Sequence, residues 1–219
     1  MEPAREFVPN FQFMEQDKDI RFVKTGVKSI SDGEGRKKIR AKYSIPENAK
    51  VVGFLGRHNE IKGYDILKGA AGELLKTDSN LYFLLGGSVS EIPPLKNNRW
   101  IECGRVDPKD FLDALDLFVL PNRKTYYDLI FLEVISRGIP ILAANNGGNI
   151  SLSKDIPSVL TFNCEIKSLV MEINNFFNIG HDERLRISKE LKAAYLNDFD
   201  LQAFGERYIN CIRSIHSDY

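Results

Sequence analysis

Cysteine, histidine and tryptophan are scarce in this chain of 219 residues, with three, three and one respectively. Cys103, Cys164 and Cys211 are scattered, odd in number and without the paired spacing of a zinc site or a disulfide framework, so a reducing cytoplasm is the setting they fit. Net charge is absent too. Thirty basic residues balance thirty acidic ones, which removes any global pull towards nucleic acid or an anionic membrane and leaves only local charge to bind with. No apolar run approaches the length of a membrane span, and MEPAREFVPNF carries acidic residues and prolines where a signal peptide needs an apolar core. These absences predict a soluble, cytoplasmic protein. Internal repeats and low-complexity tracts are also missing.

What is present is alternation. The length suits one large α/β domain or two small ones. From Lys50 onward, short apolar runs of strand type alternate with helical stripes. Val51 to Gly56, Leu81 to Gly87, Trp100 to Gly104, Asp116 to Leu120, Ile139 to Ala144 and Ser158 to Phe162 read as strands. Between them, Ile66, Leu67, Ala70, Ala71, Leu74 and Leu75 form one apolar stripe, and Asp107 to Ala114 reads as a short helix. Joined by right-handed crossovers, such units predict a doubly wound, Rossmann-like parallel sheet. The tail is helical. One face holds Ile166, Leu169, Val170, Ile173, Phe176 and Phe177; another holds Leu201, Phe204, Tyr208, Ile212 and Ile215, with Asp182 and Asp200 at N-cap positions. Residues 1–45 read as a junction with a short strand or two and a glycine and serine link, ahead of a domain over residues 46–219.

The stretch from Leu120 to Asn149 carries the most chemistry. Pro121 and Asn122 stop a strand, Leu129, Leu132, Ile135 and Ser136 fall at helical spacing, and Gly138 with Pro140 ends that helix. A helix beginning at the carboxyl end of a parallel strand offers unpaired amides where ligands sit in open sheets, and such amides attract phosphate. Gly147, Gly148 and Asn149 read as a loop on the same crevice, or as a helix cap.

The order of motifs resembles the carboxyl-terminal, nucleotide-sugar-binding half of GT-B glycosyltransferases, specifically the retaining family four. The matching pieces are GRHNEIKGYDIL (Gly56 to Leu67), YFLLGG (Tyr82 to Gly87), IECGRV (Ile101 to Val106), LDALDLFVLPN (Leu112 to Asn122) and TYYDLIFLEVISRGIPILAANNGGN (Thr125 to Asn149). The GxGxxG fingerprint of a dinucleotide-binding dehydrogenase is missing after the first strand. The resemblance implies that Arg57 and Lys62 grip the donor diphosphate, although both also read as solvated loop charges. It implies that Glu133 accepts hydrogen bonds from the ribose hydroxyls; the competing reading pairs it with Arg137 one turn on. The resemblance also implies that Gly56 belongs to the donor site, that Gly86 and Gly87 let the backbone approach the nucleotide, where the competing reading is a plain turn, that Arg105 and Val106 bracket the base, and that Leu129 and Ile130 offer amides to phosphate. His58 reads as an exposed loop residue.

Two positions depart from the pattern. Thr125 stands where relatives carry the first glutamate of the Glu, seven residues, Glu motif, and Asp128 stands where they carry glycine. A carboxylate near the phosphates is disfavoured by Coulomb repulsion unless it turns away, and Thr125 with Asp128 fits a T-x-x-D capping box that would turn it. In that case Arg123, Lys124 or Tyr126 substitutes at the sugar, or the enzyme is weak or inactive. Asp198 and Asp200 form a D-x-D, which capping of the last helix explains, and the resemblance implies a metal-independent enzyme without a cofactor. The basic run Arg36, Lys37, Lys38, Arg40 and Lys42 reads as the solvated face of a short helix or as a peripheral membrane contact. The implied partners are a UDP-, GDP- or ADP-linked sugar and an acceptor domain, in the same gene or a separate subunit, with no nucleic acid. The implied function is donor binding in a retaining glycosyltransferase that builds surface polysaccharide or glycoconjugate. The alternative is a non-catalytic half that scaffolds or regulates a partner transferase.

Overall fold

The computed structural model describes residues 21, 23–31, 35–87, 92–126 and 128–217. FVPNFQF, Phe22, Asp32 to Glu34 and Tyr127 lie outside them, so most of the strands expected near the start are not described. Residues 23–31 form neither helix nor strand.

Six parallel strands run β1 (Lys50–Leu55), β2 (Leu81–Gly86), β3 (Trp100–Gly104), β4 (Leu117–Leu120), β5 (Ile141–Ala144) and β6 (Leu160–Phe162). Their spatial order is β3-β2-β1-β4-β5-β6. The chain therefore winds outward in one direction to β3, returns past β1, and winds out the other way from β4. The reversal lies between β1 and β4, and loops leaving the two strands there part to opposite faces, which opens a crevice at their carboxyl ends.

Strand periodicity of two explains the double cover. Val51 packs on one face and Val52 and Phe54 on the other; Phe118 and Leu120 alternate with Leu117 and Val119; Ile141 and Ala143 alternate with Leu142 and Ala144. One face is covered by α2 (Tyr64–Thr77) and α6 (Ile166–Asn178). The other is covered by α1 (Gly35–Lys42), α3 (Pro108–Asp113), α4 (Leu129–Ser136), α5 (Gly147–Asp155) and α7 (His181–Asp198). Helix α8 (Leu201–Ser217) follows, with Asp200 accepting the Ala203 amide at 2.7 Å as its N-cap. Asp182 is not a cap: it lies in the first turn of α7, whose N-cap is Gly180.

The glycine pair Gly147 and Gly148 opens a helix. In sequence this stretch reads as a loop or a helix cap, since α5 has no apolar stripe and buries only Leu152 of its large side chains; the cap itself is Asn146. The segment ahead of β1 is packed onto the sheet layer, with Val27, Ile39 and Ile45 in the core. The basic run is largely engaged. Arg36 pairs with Asp116 at 3.1 Å, Lys38 pairs with Asp110, and Arg40 is 1% exposed, donating to Asp116 and to the carbonyls of Pro46, Glu47, Ala49 and Ala114. Arg40 thus departs from the solvated face expected of it, because its side chain is buried, like that of Ile39, and reaches the carbonyls before β1 and β4.

Candidate functional site

The site is built from the strand ends outward. Chain leaving β1 passes through Gly56, whose amide donates to the Gly86 carbonyl at 3.0 Å; the Gly87 amide donates in turn to the Gly104 carbonyl at 2.8 Å. These bonds join the ends of three strands into one shelf. Gly87 has φ 138°, and a Cβ there would sit 1.8 Å from the Gly56 carbonyl oxygen, so only glycine allows the closure. Val106 stands beside Gly86, and Arg105 is exposed next to it.

The other half of the rim is the exit of β4. Arg123 accounts for its attachment to the β1 loop: its amide donates to the Ile61 carbonyl at 2.9 Å, and its guanidinium donates to the Glu60 carbonyl and to both carboxylate oxygens of Asp65. That side chain, one of the three substitute sugar contacts named above, is engaged with Asp65 and the Glu60 carbonyl. Gly63 at φ 67° lies so close that a Cβ would be 1.8 Å from the Pro121 carbonyl oxygen. Residues 57–63 and 121–123 are therefore clamped together at the β1/β4 reversal.

Across this clamp runs an ion pair. Lys62 Nζ lies 2.8 Å from Asp128 Oδ1, and the Asn122 amide donates to the other oxygen of the same carboxylate. Arg57 is exposed on the same loop and makes no ion pair among the described residues. The capping box expected of Thr125 and Asp128 does not form. Asp128 is itself the N-cap residue of α4, its side chain makes no cap bond, and the buried Thr125 Oγ1 has no hydrogen-bond partner among the described residues. A charge-assisted bond to an ammonium outweighs one to a neutral amide, which explains the choice Asp128 makes. In consequence the amides of Leu129 and Ile130 are left without a cap at the carboxyl edge of the sheet.

Glu133 lies half-buried on α4, and no described residue pairs with its carboxylate. The alternative pairing with Arg137 is overturned: that guanidinium binds Asp113 and the Ile30 carbonyl on the far side of the helix. Burial alone pushes the Glu133 carboxyl above the usual carboxylate range. His58 departs from expectation as well. It is 3% exposed, stacked on Tyr64 and tilted against Phe54, and burial pushes its pKa down. Phe54 and Tyr64, which cover the imidazole in space, lie four residues before and six after it, so the loop pattern alone makes His58 read as exposed.

Asn146 at this rim is missed by the sequence, in which Asn122 reads only as a strand stop and Asn149 as part of the loop on the crevice. Asn122, Asn146 and Asn149 follow the β4 and β5 strands, and their Oδ1 atoms, like the Thr125 hydroxyl, are buried without partners among the described residues. Asn146 donates to the Asn122 carbonyl at 2.6 Å, and the Gly148 amide to the Thr125 carbonyl at 3.2 Å, so the starts of α4 and α5 are tied together. The available signal was a polar residue directly after an apolar strand at its carboxyl end. Among the described residues, no group of three histidine, cysteine, aspartate or glutamate side chains is placed to hold a metal ion, and no helix is long and apolar enough to cross a membrane.

A hollow of about 570 Å³ lies at the opposite, amino-terminal edge of the sheet, lined by Lys50, Asn80, Asp116, Pro140 and Phe177 among others. Lys50 pairs there with Asp78 at 2.8 Å and Arg36 with Asp116, while Arg184 donates to the Phe177 and Ile179 carbonyls. The carboxyl rim differs in lying at the β1/β4 reversal, where Arg57 and the uncapped amides of α4 sit at strand ends.

The chain is 32% identical over 126 residues to a D-inositol 3-phosphate glycosyltransferase of Corynebacterium efficiens, covering 50% of this chain and 30% of that protein. It is 22% identical over 187 residues to the O-antigen biosynthesis glycosyltransferase WclY of Escherichia coli, covering 80% of this chain and 50% of the relative. Among solved structures, Anabaena Alr3699/HepE in complex with UDP and glucose superposes with a TM-score of 0.74 at 19% identity, over 89% of this chain and 56% of that one. A glycosyltransferase from Rickettsia africae superposes with a TM-score of 0.77 at 19% identity, over 95% and 62%. The chain thus spans half or less of the length of these two sequence relatives, and the solved structures share its fold, a Rossmann-like GT-B domain. The sequence model of the family described as glycosyl transferases group 1 matches residues 49–175, more than half of the chain, and the chain belongs to that family.

Proposed function

We propose that this chain is the donor-binding domain of a retaining glycosyltransferase that moves a sugar from a nucleotide carrier to a glycan or lipid-linked acceptor in surface polysaccharide or glycoconjugate synthesis. The observation that carries the reading is the Lys62–Asp128 ion pair, which sets the β1 loop, with the exposed Arg57 on it, against the uncapped start of α4 at the β1/β4 reversal. When the glycosyl bond breaks, its electron pair passes to the diphosphate oxygen, so negative charge grows there. Fixed cations and amides then stabilise the transition state more than the ground state. Glu133 supplies acceptor oxygens for ribose hydroxyls, Gly56, Gly86 and Gly87 admit the backbone close to the nucleotide, and Arg105 with Val106 flanks the base. The complex of Alr3699/HepE with UDP-glucose supports a nucleotide sugar as ligand for a fold of this kind. Catalysis needs no metal on this reading. An acceptor domain, in the same gene or a separate subunit, completes the site, and without it the domain binds donor but transfers poorly. The setting is the cytoplasm, with peripheral contact to a membrane when the acceptor is lipid-linked.

The second reading, a non-catalytic half that scaffolds or regulates a partner transferase, draws on Thr125 in place of a glutamate and on Asp128 occupying Lys62. Calorimetric titration with UDP, GDP and ADP separates the two. Binding of one of them, weakened at least tenfold in Arg57→Ala and in Lys62→Ala, supports donor binding; no binding of any supports the second reading.

A further inference from the structure

The carboxylate of Asp128 has a choice of partners, and its choice is informative. Heading α4, it is within reach of the helix amides, yet it faces Lys62 at 2.8 Å and accepts from Asn122, with the Lys62 and Asp128 side chains 23% and 18% exposed. A pair so sheltered is only weakly screened by salt. Its effect is to subtract a charge. Arg57 and Lys62 bring two positive charges to the rim, and Asp128 leaves a net of one.

Resting on the proposal that this rim receives a diphosphate, we propose that Asp128 is a selectivity residue that makes the site hold a sugar-linked nucleotide in preference to the free nucleoside diphosphate released by transfer. The two ligands differ by one charge. In a nucleotide sugar both phosphates are diesters with one negative charge each. In the free diphosphate the terminal group is a monoester, whose second ionisation falls near pH 6, so it carries an additional charge at neutral pH on the oxygen that held the sugar. A fixed carboxylate beside Lys62 opposes that extra charge most strongly, because the terminal phosphate is the one that Lys62 would meet. Product is thus disfavoured where donor is tolerated, and exchange of product for donor is assisted.

The test is calorimetry on the wild-type chain and Asp128→Asn with UDP and UDP-glucose, repeated with GDP and GDP-mannose and with ADP and ADP-glucose. For the pair that binds, Asp128→Asn is expected to tighten the free diphosphate about tenfold and the sugar-linked form about threefold, as removal of one charge at this range implies. Equal tightening of both makes Asp128 a simple competitor for Lys62 and overturns the proposal. Loss of affinity for both, with unfolding by urea unchanged, makes it a positioning residue and also overturns it. Magnesium that tightens the wild-type chain but not Asp128→Asn would make the carboxylate a metal ligand, again against the proposal. Asp128→Gly, lacking any side chain there, should reproduce the Asp128→Asn ratio. Lys62→Ala separates the two layers: weaker binding in that variant with an unchanged ratio in Asp128→Asn defeats only this inference. Unaltered binding in Lys62→Ala, or no binding of any pair to either protein, defeats the diphosphate reading itself.

Discussion

The imidazole of His58 lies face to face with the ring of Tyr64, centroids 4.7 Å apart and planes inclined by 15°. A residue next to the exposed Arg57 is thereby built into the core, and the Tyr64 hydroxyl continues the cluster by donating to Glu102. The stack anchors the loop that presents Arg57 and Lys62.

Burial pushes the His58 pKa down, with Glu102 and the Gly86 backbone opposing. The sign follows from proton uptake. As pH falls through about 6.5 the unfolded chain binds a proton that the folded one resists, so stability is present above that value and lost below it. Wild type is expected to lose resistance to urea between about pH 7 and pH 5, and His58→Phe, which keeps the stack, to lose less over the same window. Parallel pH profiles for the two proteins would contradict this.

Glu133 bears the opposite signature of a binding residue that costs stability. Its carboxyl is pushed up by burial with no cation to compensate, so above about pH 4.3 the unfolded chain releases a proton that the folded one retains, and stability falls. Glu133→Gln is expected to melt higher than wild type at pH 7, to lose that advantage near pH 4, and to bind nucleotide at least tenfold more weakly. A variant that melts lower at pH 7 would show that the carboxylate is held by a partner.

Arg40 is structural. Its guanidinium closes onto Asp116 at 2.9 Å and onto four backbone carbonyls, with Asp116 also accepting the Val51 amide at 2.8 Å at the start of β1. Arg40→Ala strands those acceptors in the core and is expected to cost about 3–5 kcal/mol in urea unfolding. A loss below about 1 kcal/mol would mean that water replaces the guanidinium.

Much of this arrangement is legible in sequence, for physical reasons. The strands declare themselves because both faces are covered, so Val51 to Leu55 and Leu117 to Leu120 read as continuous apolar runs. Helix α5 escapes notice because GGNISLSKD buries little and opens with two glycines. At the rim, residue types point to charge and amide chemistry, but partner choice is decided by three-dimensional proximity. Asp128 looks like a cap in sequence and pairs with Lys62, 66 positions away, while Arg137 looks like the partner of Glu133 and binds Asp113 instead. His58 shows the same limit: a polar letter in a loop says nothing of the aromatic ring, six residues on, that covers it.

Where a nucleoside diphosphate sits is read directly by backbone amide shifts recorded by NMR during titration with the tightest-binding of UDP, GDP and ADP. The largest changes should cluster at Gly56 to His58, Gly86, Gly87, Arg105, Val106 and Leu129 to Glu133, on the carboxyl edge of the sheet. Changes centred on Lys50, Asn80 and Ile139, at the hollow on the opposite edge, would contradict it.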